Sequence, residues 1–154
     1  MRNEFYAHTP SKHNTQWHML PDHILTVSRK ARCFAKRLGY GAGEIAYYLG
    51  LLHDLGKFTK EFQQYLLDCH NNPENPPTPG SAPHKQYGAF AATLLDKGTG
   101  KLWWLPLHGH HGGMKSPENT GSDVKGTFER AQVTDKVTFI RQLMDTAAQT
   151  DPEL

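Results

Sequence analysis

Apolar side chains recur every three or four residues along much of this chain, which is the period of an α-helix with one buried face. Between residues 22 and 38, Ile24, Val27 and Ala31 share one side of such a helix and Arg29 lies opposite. Because no segment alternates convincingly between polar and apolar residues, we predict an all-α fold. The predicted helices cover residues 22–38, 43–56, 59–70, 84–97 and 127–148, with a further short helix over 101–108.

Two polar segments separate the predicted helices. Residues 73–83 are rich in proline and form the main predicted loop, which is either a lid over a site or a surface connection. Residues 115–126 form the second predicted loop.

Length and composition describe a soluble globular chain. Its 154 residues are 37% hydrophobic with a mean hydropathy of -0.65, which suits one domain over residues 1–154. No apolar run approaches a membrane span and no signal region opens the chain, so we expect a cytoplasmic location. A net charge of +2 is too small to indicate nucleic-acid binding by itself. Cys33 and Cys69 fit no metal-binding spacing and are expected to be reduced, non-catalytic thiols.

His53 and Asp54 are the most informative residues, because they interrupt an otherwise apolar stretch. Leu49, Leu52 and Leu55 recur around them at helical spacing and draw the pair toward a core, where an uncompensated charge is costly. Consecutive helical residues point about 100° apart, so the imidazole and the carboxylate would flank one edge of a helix and bind a cation there. A pair like this is more often a simple ion pair, so the metal interpretation depends on further ligands.

Four more histidines stand at positions suited to metal ligands. His23 lies at the edge of the apolar face of the first predicted helix, a place for a core-facing ligand or for a hydrogen-bonded packing residue. His84 opens the fourth predicted helix and points inward from its start. His110 and His111 lie between glycines that permit a tight turn, which fits either a pair of ligands or an exposed loop. The combination with His53-Asp54 favours a metal site.

The order of these residues resembles the HD nuclease domain of the type I CRISPR-associated helicase-nuclease, a branch of the HD phosphohydrolase superfamily. This resemblance implies an HD-domain helical bundle around a metal site. Four motifs occur in order over roughly residues 5–114, with His84 between the third and the fourth. They are Tyr6-Ala7-His8-Thr9, the segment from Trp17 to His23, the segment from Gly50 to Lys57, and His110-His111-Gly112-Gly113.

The resemblance implies two metal ions that share one carboxylate. His23, His53 and Asp54 would bind the first ion, and Asp54 would bridge to the second. The remaining ligands of the second ion would be His84, His110 and His111. Asp54 and Lys57 are the predicted catalytic residues. Lys57 would orient or neutralise a phosphate, unless it is only a cation at a helix end that complements the helix dipole.

One feature of the resembled family has no match in the sequence. The family supplies a further metal-binding aspartate well downstream of the paired histidines. Asp123, Asp135 and Asp145 do not stand in the expected context, so we assign none of them.

The chemistry of such a site follows from its ligands. Two divalent cations about 3.5 to 4 Å apart can activate a water, hold a phosphate oxygen and stabilise the departing alkoxide. Imidazole-rich ligation favours manganese, cobalt, nickel or iron over magnesium. One carboxylate with neutral imidazoles leaves two dications strongly positive, which attracts a phosphodiester.

The resemblance thus implies a metal-dependent DNA nuclease that acts mainly on single-stranded DNA in CRISPR interference, using a metal-activated water. A helicase, fused or separate, would supply unwound DNA, and an RNA-guided surveillance complex would recruit it. The chain would be a standalone subunit or a domain excised from a longer protein. The alternatives are an HD-type nucleotide phosphohydrolase, which needs a closed nucleotide pocket, and a non-catalytic metal-binding scaffold for a helicase.

Overall fold

The structure is a computed structural model and describes residues 4–11, 15–95 and 100–154. Its helices confirm the predicted all-α class, and a two-stranded antiparallel sheet accompanies them. None of the described helices is long and apolar enough to cross a membrane. In chain order the elements are β1 (Tyr6–His8), β2 (His18–Met19), α1 (Leu20–Ala35), α2 (Ala42–Leu52), α3 (Lys60–Asn71), α4 (Lys85–Leu95), α5 (Gly100–Gly109), α6 (Pro117–Arg130) and α7 (Lys136–Thr150), with 3₁₀ turns at Lys36–Leu38 and Leu55–Phe58.

The small sheet was not predicted from the sequence. β1 and β2 pair with His8 opposite His18, and the Leu20 N–H donates to the Phe5 carbonyl at 2.8 Å, so the hairpin leads directly into α1. Strands of three and two residues are too short to show the alternation by which a strand is recognised.

The prediction for residues 115–148 was wrong in its boundaries. The predicted second loop is mostly α6, which the Ser116 hydroxyl caps by accepting from the Asn119 N–H at 3.3 Å. The predicted helix over 127–148 is divided between α6 and α7, because Gln132 adopts a left-handed φ of 55° in the break. Two of the buried residues of α6 are threonines, so its inward face does not show the apolar pattern by which a helix is predicted.

The predicted helix over 43–56 ends early, at Leu52. His53 is still helical, but Asp54 leaves helical geometry at φ -113° and ψ 16°, and the Lys57 N–H then bonds to the Asp54 carbonyl at 2.8 Å. The resulting 3₁₀ turn lets Leu52, Leu55 and Phe58 all enter the core. The other predicted helices agree in position within a few residues, although residues 96 and 97 of the fourth lie outside the described residues.

The hydrophobic core anchors the segment that carries His53 and Asp54. Leu52 and Leu55 flank the pair and are 5% and 3% exposed. Burying a leucine side chain contributes about 1.5–3 kcal/mol, so these two residues hold the polar pair at the edge of the core. The largest fully buried apolar side chains of this core are Leu20, Ile24, Phe128 and Ile140, contributed by α1, α6 and α7. Phe62 and Leu66 of α3 form a second cluster with Ala82, which belongs to the irregular connection over 73–83.

Two glycines allow α4 to approach the 3₁₀ turn closely. A Cβ atom at Gly56 would lie 2.3 Å from the His84 carbonyl oxygen, and one at Gly88 would lie 2.0 Å from the Leu52 carbonyl oxygen. Any side chain at either position would push the two backbones apart. These glycines therefore allow His84 to lie close to Asp54.

Replacing Gly56 with alanine is expected to displace His84 and weaken metal binding. Overpacking of this kind costs about 1–3 kcal/mol of stability, and disturbing the support of a ligand lowers metal affinity by about 10- to 100-fold. Urea unfolding and Co²⁺ titration measure the two effects. Gly126→Ala is the matched control, since its Cβ would meet only the end of the flexible Arg130 side chain at 3.2 Å. Wild-type cobalt affinity in Gly56→Ala would contradict this prediction.

Candidate metal centre

Four separate segments deliver the six predicted ligands to one place. His23 lies in the first turn of α1, and His53 and Asp54 follow the last residue of α2. His84 directly precedes α4, and the last two histidines follow α5. Their ligand atoms form two overlapping groups, each with all atoms within 4.8 Å of one another. The first group is His23, His53 and Asp54, and the second is Asp54, His84, His110 and His111.

The Asp54 carboxylate lies at the centre of both groups. Its Oδ2 is 3.1 Å from the Nε2 atoms of His23 and His53. Its Oδ1 is 3.5 Å from His110 Nε2 and 3.7 Å from His84 Nε2. Each oxygen therefore faces a different group of imidazoles, which is the arrangement that a bridging carboxylate needs.

Backbone carbonyls set the tautomers of two imidazoles. The Nδ1 atoms of His53 and His110 are each 2.6 Å from a carbonyl oxygen, those of Gly50 and Leu107 respectively. A carbonyl only accepts hydrogen bonds, so Nδ1 carries the proton in both rings. In the neutral rings Nε2 then presents its lone pair to the Asp54 carboxylate. Two acceptors repel each other unless a positive charge, a proton or a metal ion, lies between them.

Two buried polar atoms of the site lack hydrogen-bond partners. They are Asp54 Oδ1 and His84 Nε2, which face each other. An unpartnered buried polar atom costs about 1–3 kcal/mol. Asp54 Oδ1 only accepts, and a neutral His84 imidazole can offer the lone pair of Nε2, so the two atoms fit a cation as their shared partner. The residues present therefore fit a divalent metal ion.

Burial and charge keep the ligands in the protonation states that bind metal. Burial raises the pKa of Asp54, but hydrogen bonds from His110, His23 and His53 lower it by more when the facing Nε2 atoms carry protons in place of a metal ion. The carboxyl therefore stays ionised at a pKa far below its ordinary value. Burial lowers the pKa of His84 to about 3, against the opposing effect of Asp54. His84 is therefore a neutral imidazole at physiological pH, as metal binding requires.

Lys57 is buried and paired with Asp54. Its Nζ lies 2.9 Å from Asp54 Oδ2 and donates to the Ala7 carbonyl at 3.1 Å, and the residue is only 2% exposed. Lys57 lies in the last turn of the 3₁₀ helix rather than at the end of α2, and its ammonium is paired with Asp54. The contact with a substrate phosphate stays a prediction.

The three downstream aspartates have other places. Asp123 accepts from the Lys115 ammonium at 3.2 Å and pairs with the buried His108 at 2.8 Å, which ties α5 to α6. Asp135 caps α7 by accepting from the Thr138 N–H at 3.0 Å. Asp145 is exposed on α7. None of the three joins the groups that the described residues form around Asp54.

Sequence reasoning gave no role to three histidines that the structure singles out. His108 is fully buried against Asp123, a pairing that depends on the unpredicted helix α6. His8 and His18 form a third histidine group together with His23. Both lie in motifs that carried the family resemblance, which was the available signal. Cys33 and Cys69 are both free thiols.

A comparison with protein-family models gives a match over nearly the whole chain. The family model described as "Cas3, HD domain" matches residues 7–153, which include all six predicted ligands and helices α1 to α7. No curated protein matches the chain.

Proposed function

Because the chain belongs to the family of HD domains of Cas3-type CRISPR helicase-nucleases, we propose that it cleaves phosphodiester bonds in DNA, chiefly single-stranded DNA. The family and the histidine–aspartate groups make the chain a metal-dependent HD hydrolase. The nuclease activity and its substrate are the parts that we propose.

The observation that carries the proposal is the division of the Asp54 carboxylate between two groups of imidazoles. His23 and His53 would hold one divalent ion with Asp54 Oδ2. His84, His110 and His111 would hold a second with Oδ1. Two such ions, when bound, supply Lewis acidity toward phosphate oxygens and lower the pKa of an attacking water.

The protein side chains contribute position and charge. The Nδ1 hydrogen bonds of His53 and His110 to backbone carbonyls hold both rings with Nε2 inward. Lys57 holds Asp54 in place through its 2.9 Å ion pair. Asp54 is the one carboxylate of the two groups, so two bound dications keep a large positive charge that attracts a phosphodiester.

The exposure of the site suits a polymer substrate. The side chains of His84 and His110 are 17% and 19% exposed, whereas Asp54 is 1% exposed. A substrate phosphate would reach the imidazoles first, with the carboxylate beneath them. The flexible backbone of a single strand can bring one phosphate to this depth, which supports single-stranded DNA as substrate.

The family also bears on the setting of the reaction. Membership implies association with a CRISPR helicase and a nucleic-acid substrate. We propose that residues 1–154 act as one HD nuclease domain in the cytoplasm during CRISPR interference. A helicase, fused or separate, would supply the single strand, and an RNA-guided surveillance complex would recruit both.

A comparison of substrates tests the proposed function. Manganese-loaded protein is expected to cut a labelled single-stranded oligonucleotide, to cut the same sequence as a duplex much more slowly, and to leave deoxynucleoside triphosphates intact. Gel electrophoresis and phosphate release measure these outcomes. Hydrolysis of nucleotides without cutting of the polymer would instead establish a nucleotide phosphohydrolase. Bound metal without any hydrolysis would contradict cleavage by this chain alone and would favour a non-catalytic scaffold or a need for the helicase partner.

A further inference from the structure

His8, His18 and His23 form a cluster of imidazoles beside the central groups. His8 and His18 face each other across β1 and β2, and His23 is presented by the first turn of α1. Their ligand atoms lie within 4.8 Å of one another. We call these three residues the outer cluster.

The ring positions in the outer cluster match those around a bound ion. The ring centroids are 5.8 Å apart for His8 and His18, 5.0 Å for His8 and His23, and 5.1 Å for His18 and His23. Three imidazoles that bind one tetrahedral Zn²⁺ at about 2.0–2.1 Å hold their ring centroids roughly 5 Å apart. The spacing of the three rings therefore fits three imidazoles around one such ion.

The surrounding backbone also positions the cluster. His8 and His18 are directly opposed across the sheet, which holds their Cβ atoms close together. The preceding residue of β1, Ala7, is 1% exposed and accepts from Lys57 at 3.1 Å. The strand that carries His8 is thus tied to the same lysine that holds Asp54.

His23 belongs to both the outer cluster and the first central group. Its Nε2 is 3.2 Å from His53 Nε2 and 3.1 Å from Asp54 Oδ2. A neutral imidazole has a single lone pair for a metal, because its other nitrogen carries the proton. His23 can therefore serve the central ion or an outer ion, but not both.

We propose that His8, His18 and His23 form a third metal site, which binds a borderline transition-metal ion such as Zn²⁺ and competes with the centre for His23. Three imidazoles with an open fourth position are a common zinc ligand set. Zinc binds nitrogen ligands more tightly than manganese does, so an excess of zinc takes His23 from a manganese-loaded centre. The outer site is then inhibitory. This second step rests on the proposed nuclease function, whereas zinc binding does not.

Zinc stoichiometry tests the site itself, whether or not the protein cleaves DNA. In an Asp54→Ala/His84→Ala background, which weakens both central groups, one tightly bound zinc is expected per chain. Adding His8→Ala/His18→Ala should abolish that zinc, whereas adding His70→Ala, which alters a histidine outside all three groups, should retain it. Elemental analysis after gel filtration counts the ions. Equal zinc content with and without His8 and His18 would overturn the proposal.

Folding and inhibition are checked separately. If His8→Ala/His18→Ala unfolds the protein, the single substitution His8→Gln replaces it, because the His8 side chain is exposed. His8→Gln is expected to weaken zinc binding at least ~10-fold. In the otherwise unaltered chain, excess zinc should suppress manganese-supported cleavage, and His8→Ala/His18→Ala should need at least ~10-fold more zinc for the same suppression. Identical zinc sensitivity of the two proteins would refute the competition for His23.

Discussion

Replacing Asp54 with alanine is expected to abolish tight binding of both central ions and to lower DNA cleavage on the order of 10³-fold or more. Its two oxygens face the two imidazole groups, with Oδ2 at 3.1 Å from the first and Oδ1 at 3.5 and 3.7 Å from the second. No other carboxylate of the described residues joins either group. Both ions therefore lose their shared anionic ligand in one substitution.

The experiment separates a lost ligand from a lost fold. Asp54→Ala leaves the Lys57 ammonium buried without its partner, which itself destabilises the protein. Asp54→Asn keeps the shape of the side chain and an oxygen that accepts from Lys57, and urea unfolding of both variants shows how much of each loss of metal binding accompanies a loss of stability. Asp145→Ala, at an exposed carboxylate of α7, is the matched control. Manganese titration that shows wild-type affinity in both Asp54 variants would refute the bridging role.

Lys57→Met is expected to destabilise the metal-free protein by about 3–5 kcal/mol, the usual cost of removing one partner from a buried ion pair. Lys57 and Asp54 are 2% and 1% exposed and lie 2.9 Å apart. Without the ammonium, the buried carboxylate of the metal-free protein loses its nearest cation. Bound metal ions supply positive charge at the same carboxylate, so the loss should be clearly smaller in the metal-loaded protein.

Urea unfolding with chelator and with saturating Co²⁺ measures this difference. Lys60→Met is the matched control, because Lys60 is an exposed residue at the start of α3 and should lose little stability in either condition. An equal loss of stability for Lys57→Met with and without cobalt would show that no metal charge reaches Asp54. A cobalt-dependent recovery would support Asp54 as a metal ligand and Lys57 as its partner in the empty site.

Much of the site was predictable from sequence, because its residues stand in short motifs whose order identifies the family. Asp54 could be placed at the edge of the core from the leucines on either side of it. The exact position of Asp54 could not be predicted. It depends on the change of backbone direction at Asp54 after the end of α2 and on the close approach of α4 that Gly56 and Gly88 allow. These are tertiary contacts, which the helical period of the apolar residues does not predict.

The errors have equally specific causes. The buried face of α6 includes Thr120 and Thr127, which a hydrophobicity pattern treats as polar, so the pattern predicts a loop where the structure has a helix. Asp123 therefore lay in a predicted loop rather than in a helix, and its pairing with His108 could not be predicted. The strands that bring His8 and His18 together are too short for a periodic signal, and their pairing alone creates the outer cluster.

Cleavage of end-labelled single-stranded DNA by metal-stripped protein, with and without added Mn²⁺, tests the assignment of a nuclease to this centre most directly. The wild type and Asp145→Ala are expected to cut the DNA equally well, and only when manganese is added. Asp54→Ala is expected not to cut it with or without manganese. Cutting that persists without metal or survives in Asp54→Ala would contradict hydrolysis at this centre. Failure of the manganese-loaded wild type to cut would contradict the nuclease itself.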